Sequence, residues 1–296
     1  MDQKIVLGTR GSELALAQAR LVERALQQQW PELNVETKII ATRGDQTKPI
    51  DSRAGWKGLF TAEIEKALLA GDIDLAVHSA KDLPSETSSA LEIAAVLVRG
   101  PFEDVLLSKH AGKFASLPTK AIVATSSIRR KYQLHWKRPD LIVVDLRGNV
   151  PTRVKKLTDG DWDAVVLARA GIERLGLTSP TLFSETLPLE IFLPAGGQGI
   201  IAIQIRENDE EARTIVVAVN DSDTMACLRA ERAFLHLLNV DCNAPVGVLA
   251  RIDNGLLKMR AQFFGEGSSA PREGEVEGQS DRGELLAAQL LDQLRT

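Results

Sequence analysis

The sequence predicts an α/β protein of two lobes joined by a hinge, with a small α+β domain at its C-terminal end. Three observations predict it. Short β-rich runs alternate with helical patterns through the first two thirds of the chain. Two breaks, Arg99-Gly100-Pro101 and Leu193–Gly199, flank one inserted α/β series, as a two-stranded hinge would require. After Asp221 a helix, a turn-rich loop and further β-like runs follow. The predicted units are residues 1–99 with 200–218, residues 104–193, and residues 221–296. With 296 residues and 44% hydrophobic content the chain can bury a core in each. No internal repeat of fixed period is visible.

The elements follow in order. A strand at Ile5–Gly8 leads to a helix over Glu13–Trp30, where Leu14, Ala17, Leu21, Ala25 and Leu26 recur at helical steps and Ser12 stands at the N-cap. A strand at Val35–Thr42 precedes the polar stretch Arg43–Gly58. That stretch is too long for a routine connection and reads as a mobile, lid-like loop. A helix at Leu59–Leu69 and a strand at Asp74–His78 complete the first series. The second has strands near Asp104–Ser108, Ala121–Thr125, Leu141–Asp145 and Asp163–Ala168. The run Ile200–Ile205 returns to the first sheet. The last unit has a helix to Leu238, β-like runs at Val246–Ile252 and Leu256–Phe264, a Gly/Ser-rich stretch and a helix near Glu284–Leu294.

Composition narrows the function classes. No run of about 18 apolar residues occurs and the N-terminus lacks a signal layout, so a cytoplasmic protein without a membrane role is expected. The two cysteines, Cys227 and Cys242, have no zinc-like spacing, and no metal is expected. The net charge of −4 argues against a general nucleic-acid binder. Yet Lys120–Lys156 holds ten basic residues and two acids, a local balance of +8. A local anionic ligand and a solvated basic face both account for it.

Three segments repeat one design, hydroxyls or a turn at a helix start with arginines beside it: Arg10-Gly11-Ser12, Thr125–Arg130 and Asp145–Arg153. Free backbone N–H groups and the helix dipole favour anions there, and arginine's planar fork suits carboxylates. For Arg10-Gly11-Ser12 taken alone, a capping Ser12 with a solvated Arg10 is the more ordinary reading. In His78–Pro84 a strand ends in Lys81 and Asp82, at the edge that faces the ligand crevice in open α/β sheets. Asp82 could carry protons or balance a cationic intermediate, or serve as a turn residue. Cys242 lies in the turn-rich loop Asn239–Pro245, where a thiol can act as a nucleophile, whereas Cys227 falls on a helix and should be buried.

Taken in order, Thr9–Ser12, Thr42–Asp45, Lys57–Phe60, Val77–Pro84, Thr125–Arg130, Leu146–Val150, Leu193–Gly199 and Arg229–Leu235 followed by the Cys242 loop resemble the porphobilinogen deaminases, or hydroxymethylbilane synthases. The resemblance spans nearly the whole chain. It implies two periplasmic-binding-protein-like (type II) domains joined by a hinge, plus the small C-terminal domain. It implies a monomeric transferase of tetrapyrrole biosynthesis that joins four porphobilinogen molecules head to tail, with loss of ammonia, into hydroxymethylbilane. It also implies a covalent dipyrromethane cofactor, one per chain, in thioether linkage to Cys242. By position in the motifs, Asp82 would be catalytic, and Lys81, Asp82, Ser127, Arg129 and Arg130 would bind the cofactor. Arg10, Ser12, Gln18, Arg147, Arg153 and Arg174 would bind substrate, with Lys57 and Phe60 in the lid. Loss of ammonia would leave an electrophilic azafulvene cation, which suits a carboxylate that does not itself become the nucleophile.

The chain departs from the family pattern at three places. Val240-Asp241 precede Cys242 where Gly-Gly or Gly-x is usual, Ala80 stands where Met is commoner, and Trp56 replaces a Gly. Asp241 would raise the pKa of the neighbouring thiol. The rival from another class is a two-lobed carboxylate-binding protein without catalysis, which would need neither Cys242 nor Asp82.

Overall fold

The computed structural model describes residues 4–45, 60–86, 88–239 and 244–295. Most of the loop 43–58, including Lys57 and Trp56, and the residues Val240–Asn243 around Cys242 lie outside the described residues.

Three sheets organise the chain. The first is built from β1 (Lys4–Thr9), β2 (Asn34–Ile39), β3 (Leu75–Ser79), β4 (Leu91–Val96) and β10 (Ile201–Arg206), in the order β2-β1-β3-β10-β4. The second contains β5 (Asp104–Ser108), β6 (Ile122–Ala124), β7 (Ile142–Val144), β8 (Ala164–Ala168) and β9 (Phe183–Thr186), in the order β7-β6-β8-β5-β9. These orders are one design used twice. β1 and β6 each lie parallel to both neighbours, and β10 and β5, the strands that enter straight after a crossing between lobes, run antiparallel to theirs. The repeat lives in topology and has no counterpart in sequence. Two such lobes, crossed twice by the chain, are the type II periplasmic-binding-protein-like architecture.

Helices cover both faces of each sheet, which is why the strands read as near-continuous apolar runs. In the first lobe α1 (Glu13–Gln29) and α6 (Glu210–Val217) bury Val22, Leu26 and Ile215 against Leu7, Val77 and Ile203, while α2 (Ala62–Leu69) brings Ile64 and Leu68 to the other face. In the second, α3 (Ile128–Lys137) contributes Leu134 to one face and α4 (Val150–Asp159) contributes Leu157 to the other. The short α5 (Arg169–Arg174) follows β8 and touches α1 across the lobes.

The third unit packs α7 (Ser222–Leu238) and α8 (Gly283–Arg295) on an antiparallel sheet of β11 (Val246–Asp253), β12 (Leu256–Phe263) and β13 (Arg272–Gln279). β13 falls in what the sequence offers only as a Gly/Ser-rich stretch. Its sequence REGEVEGQ has a single apolar residue, because Gly274 and Gly278 lie so close to Leu286, Leu290 and Gln293 of α8 that a Cβ would come within about 3 Å of them. A small-residue face lets the helix approach and erases the alternation that marks a strand. β4 and β9 are likewise absent from the sequence-based elements.

The two crossings meet at one buried knot. Gly100 N donates to Gly199 O at 3.1 Å. Glu231 of α7, fully buried, accepts from Arg99 Nη1 at 2.7 Å, from Gly197 N at 2.6 Å and from Ala250 N at 2.7 Å. The third unit therefore clamps both hinge strands through a single carboxylate. A buried charge is tolerated there because every oxygen is hydrogen-bonded.

Candidate active site

The site is built at the ends of strands. After β3 the chain turns through Ala80–Asp82, which places Lys81 and Asp82 at the carboxyl end of that strand. The second crossing presses on this turn: Gly197, at φ +74°, lies so near that a Cβ would sit 2.9 Å from Ala80 C and Lys81 N. Only glycine admits that approach and that φ together.

The second lobe supplies the cations. Ser127 caps α3, its Oγ accepting from Arg130 N at 3.4 Å, as Ser12 caps α1 by accepting from Ala15 N at 3.3 Å. A cap is worth about 1 kcal/mol. What fixes the arginines is Asp104, the first residue of β5 and fully buried. Its carboxylate accepts from Arg129 Nη1 and Arg130 Nη2, both at 2.8 Å, and from Gln198 Nε2 at 2.8 Å. Arg129 Nη1 also donates to Gln133 Oε1 and Leu193 O, and Arg130 Nη1 to Val166 O. Both arginines are buried, and the Nε of each has no hydrogen-bond partner among the described residues. The two arginines that the sequence offers as an anion cradle are thus a buried pair anchored from behind.

Charge in this cluster is unbalanced. Burial alone would raise the pKa of Asp104, but Arg129 and Arg130 outweigh it and hold the carboxyl well below the usual range. Burial lowers Arg129, opposed by Asp104 and reinforced by Arg130. Lys81 is brought down to about 8 by burial, against the pull of Asp82, with Arg130 adding repulsion. Arg153 falls to about 10 through burial and the nearness of Arg130, with Asp82 opposing. Lys81, Arg129, Arg130 and Arg153 thus stand against Asp82 and Asp104, four cations to two carboxylates. A multiply anionic ligand would restore the balance.

The remaining candidates differ in placement. Arg10 stacks over the Phe60 ring, its guanidinium carbon 4.2 Å from the centroid. Gln18 is buried and spends its amide on Ser79, Nε2 to Oγ being 2.8 Å. Arg147 is exposed before α4, and Arg153 Nε donates to Gly148 O at 2.7 Å. Arg174 stands apart from the Lys81–Asp82 cluster. Its Nη2 donates to Gly199 O at 2.6 Å, and it lines a cavity of about 740 Å³ behind the hinge with Arg20, Leu97 and Pro101. The rest of the basic stretch is largely structural. Arg138 forms two 2.7 Å bonds to Asp140 and binds four carbonyls, and Lys131 pairs with Asp145 at 2.6 Å.

Asp104, Gln133, Gln198 and Glu231 were not singled out by sequence reasoning. Gln198 lies inside a quoted motif without a role, and Asp104 opens the first apolar run after a Gly-Pro break. Neither pattern indicates its partners. His78 is buried and, chiefly by that burial, pushed down to about 4, so it is neutral in the folded protein at pH 7. Cys227 is buried on α7, and burial pushes its thiol up to about 12. Among the described residues no cluster of His, Cys, Asp and Glu could hold a metal, and no helix is long and apolar enough to cross a membrane.

Fold and site together define a two-lobed α/β cleft protein with a cationic centre and one carboxylate at a strand end. Residues 5–214 match the family model described as porphobilinogen deaminase, dipyromethane cofactor binding domain, and residues 225–295 match the porphobilinogen deaminase C-terminal domain. A porphobilinogen deaminase of Syntrophomonas wolfei is 45% identical over 97% of this chain and 95% of its own. That of Roseiflexus is 43% identical over 99% and 97%, and that of Chlorobium limicola 46% identical over 88% and 83%. The chain belongs to the porphobilinogen deaminase family. It is a transferase of tetrapyrrole biosynthesis, a hydroxymethylbilane synthase that works with a dipyrromethane cofactor. The surplus of two positive charges in the cluster fits a cofactor that carries several carboxylates.

Proposed function

We propose that the cluster at the end of β3 is where this chain carries out the deaminase reaction, with Asp82 as its catalytic carboxylate and Cys242 as the point of cofactor attachment. One observation carries the reading: Gly197 packs against the Ala80–Lys81 turn while its neighbour Gln198 bonds the Asp104 carboxylate that anchors Arg129 and Arg130, so the crossing brings Lys81 and Asp82 of one lobe to the arginines of the other. Lys81, Ser127, Arg129 and Arg130 hold the carboxylates of the dipyrromethane, which supplies a nucleophilic pyrrole carbon when bound. Asp82 moves the proton that departs with ammonia and balances the positive charge left on the incoming pyrrole. Arg10, Ser12, Arg147 and Arg153 receive the carboxylates of porphobilinogen. Gln18 acts through Ser79, and Arg174 through the hinge carbonyl of Gly199. Phe60 and Lys57 belong to the lid. The units are residues 1–99 with 200–218, 104–193, and 221–296, the last carrying Cys242. The protein works as a cytoplasmic monomer on a small molecule, without nucleic acid or membrane. Its net charge of −4 and the internal pairing of much of the basic stretch argue against a nucleic-acid partner.

Intact mass of the purified protein with peptide mapping tests the attachment. A dipyrromethane increment on the Cys242 peptide is expected, lost in Cys242→Ser and kept in Cys227→Ser. The increment on the Cys227 peptide would reverse the assignment. An unmodified mass that persists after incubation with porphobilinogen would favour a binding protein.

Lys81 offers a pH test. Its charge is half lost near pH 8, so carboxylate binding that depends on it weakens as pH rises through about 8. Primer uptake by the apoprotein incubated with porphobilinogen should fall there several-fold. Lys81→Arg, which stays charged far into the alkaline range, should flatten that limb. An unchanged alkaline fall in the arginine variant would place the titration elsewhere.

A further inference from the structure

We infer that Gln133 and Gln262 form a positioning relay that holds the third domain, and with it the strand that starts four residues after Cys242, in fixed register with Arg129. The inference rests on the proposed role of Arg129 in holding the cofactor.

Gln133 sits on α3 of the second lobe and Gln262 on β12 of the third unit, and both are fully buried. Their amides can point only one way. Gln133 Oε1 must accept from Arg129 Nη1 at 2.9 Å, so its Nε2 donates to Leu193 O at 2.9 Å and to Gln262 Oε1 at 3.0 Å. Gln262 Nε2 then donates to Glu273 Oε1 at 2.8 Å and Glu190 O at 3.1 Å. The result is a directed line of donors from Arg129 to a carboxylate on β13.

Adhesion at this seam comes from elsewhere on the same helix. Tyr132 and Trp136 pack on Phe264 with ring centroids 5.5 and 6.1 Å away. Apolar contact tolerates sliding, whereas a buried amide pair is satisfied in one register only. The amides therefore set position rather than affinity.

A second observation ties the relay to the cofactor strand. β11 starts four residues after Cys242, and its Gly247 pairs with Gln262. A Cβ on Gly247 would lie 2.6 Å from Leu193 O, the same carbonyl that accepts from Arg129 and Gln133. Val248 N donates to Pro194 O at 2.9 Å. The strand leading from the attachment cysteine thus packs against the backbone oxygen to which the arginine that receives the cofactor's carboxylate donates.

The test compares the full-length variants Gln133→Met, Gln262→Met and the double variant with Arg129→Met. Each is incubated with porphobilinogen and read by intact mass, steady-state kinetics and thermal melting. Each Met variant should lower the primed fraction and kcat at least fivefold, with KM within twofold, and the double should be no worse than the worse single. Primer load and kcat within twofold of the parent in both single variants would overturn the relay, provided that Arg129→Met loses its primer. If Arg129→Met keeps primer and turnover, the reading of Arg129 fails instead. Should a Met variant not fold, Gln262→Glu keeps the acceptor for Gln133 Nε2 and should lose part of the primer load; no loss there overturns the relay equally.

Discussion

Asp82→Asn should lower kcat by about 10²–10⁴-fold, the range for removal of a positioned general acid–base group. The amide has nearly the shape of the carboxylate but neither takes a proton near neutrality nor carries the charge that would balance a cation. The variant should still be isolated with its cofactor, because the cluster retains Lys81, Arg129, Arg130 and Arg153, and loses one of its two opposing carboxylates. Anion binding should therefore be as strong or stronger while turnover collapses. Intact mass and single-turnover kinetics separate the two effects. Near-normal single-turnover rates in a fully primed variant would remove Asp82 from the chemistry. KM should change little, since an interaction made only in the transition state shows in kcat.

How much of this was legible in the sequence follows from the range of each interaction. The helix after Ser12 and the strand Asp104–Ser108 were readable because caps and apolar runs are local signals. The turn holding Lys81 and Asp82 was readable because a strand that stops before Pro84 leaves few alternatives. Arg129 and Arg130 were readable as anion-facing arginines, but not as arginines already bonded to Asp104, 25 and 26 residues upstream. That partner is set by β5 lying two strands from β6 in the sheet, and nothing in a one-dimensional pattern states it. Gln133 and Gln262 were invisible for the same reason at a separation of 129 residues. β13 was lost because small residues on its packed face broke the period on which strand recognition depends.

Asp104→Asn should be the most destabilising single change in the second lobe, about 3–5 kcal/mol, as expected when a buried ion pair loses one partner. An asparagine keeps one acceptor for one guanidinium and leaves the other, with its charge, buried and uncompensated. If the amide oxygen takes the place of Oδ2, Gln198 also loses one of its two acceptors and keeps only Phe102 O, so the damage reaches the hinge. The pH dependence distinguishes this loss from simple misfit. Because the folded-state pKa of Asp104 is depressed, its contribution is fully present above the unfolded carboxylate value of about 3.9. It is lost only as pH falls through the lower folded value. In urea unfolding, the gap in stability between the parent protein and Asp104→Asn should stay constant from about pH 5 to 8 and narrow steadily below about pH 4. A gap that did not narrow in acid would mean that the carboxylate's shape, and not its charge, holds the arginines. If the pair is also what presents them to the cofactor, the refolded variant should take up primer more slowly than it regains its helical signal. That order of events would link the stability of the second lobe to the chemistry its arginines serve.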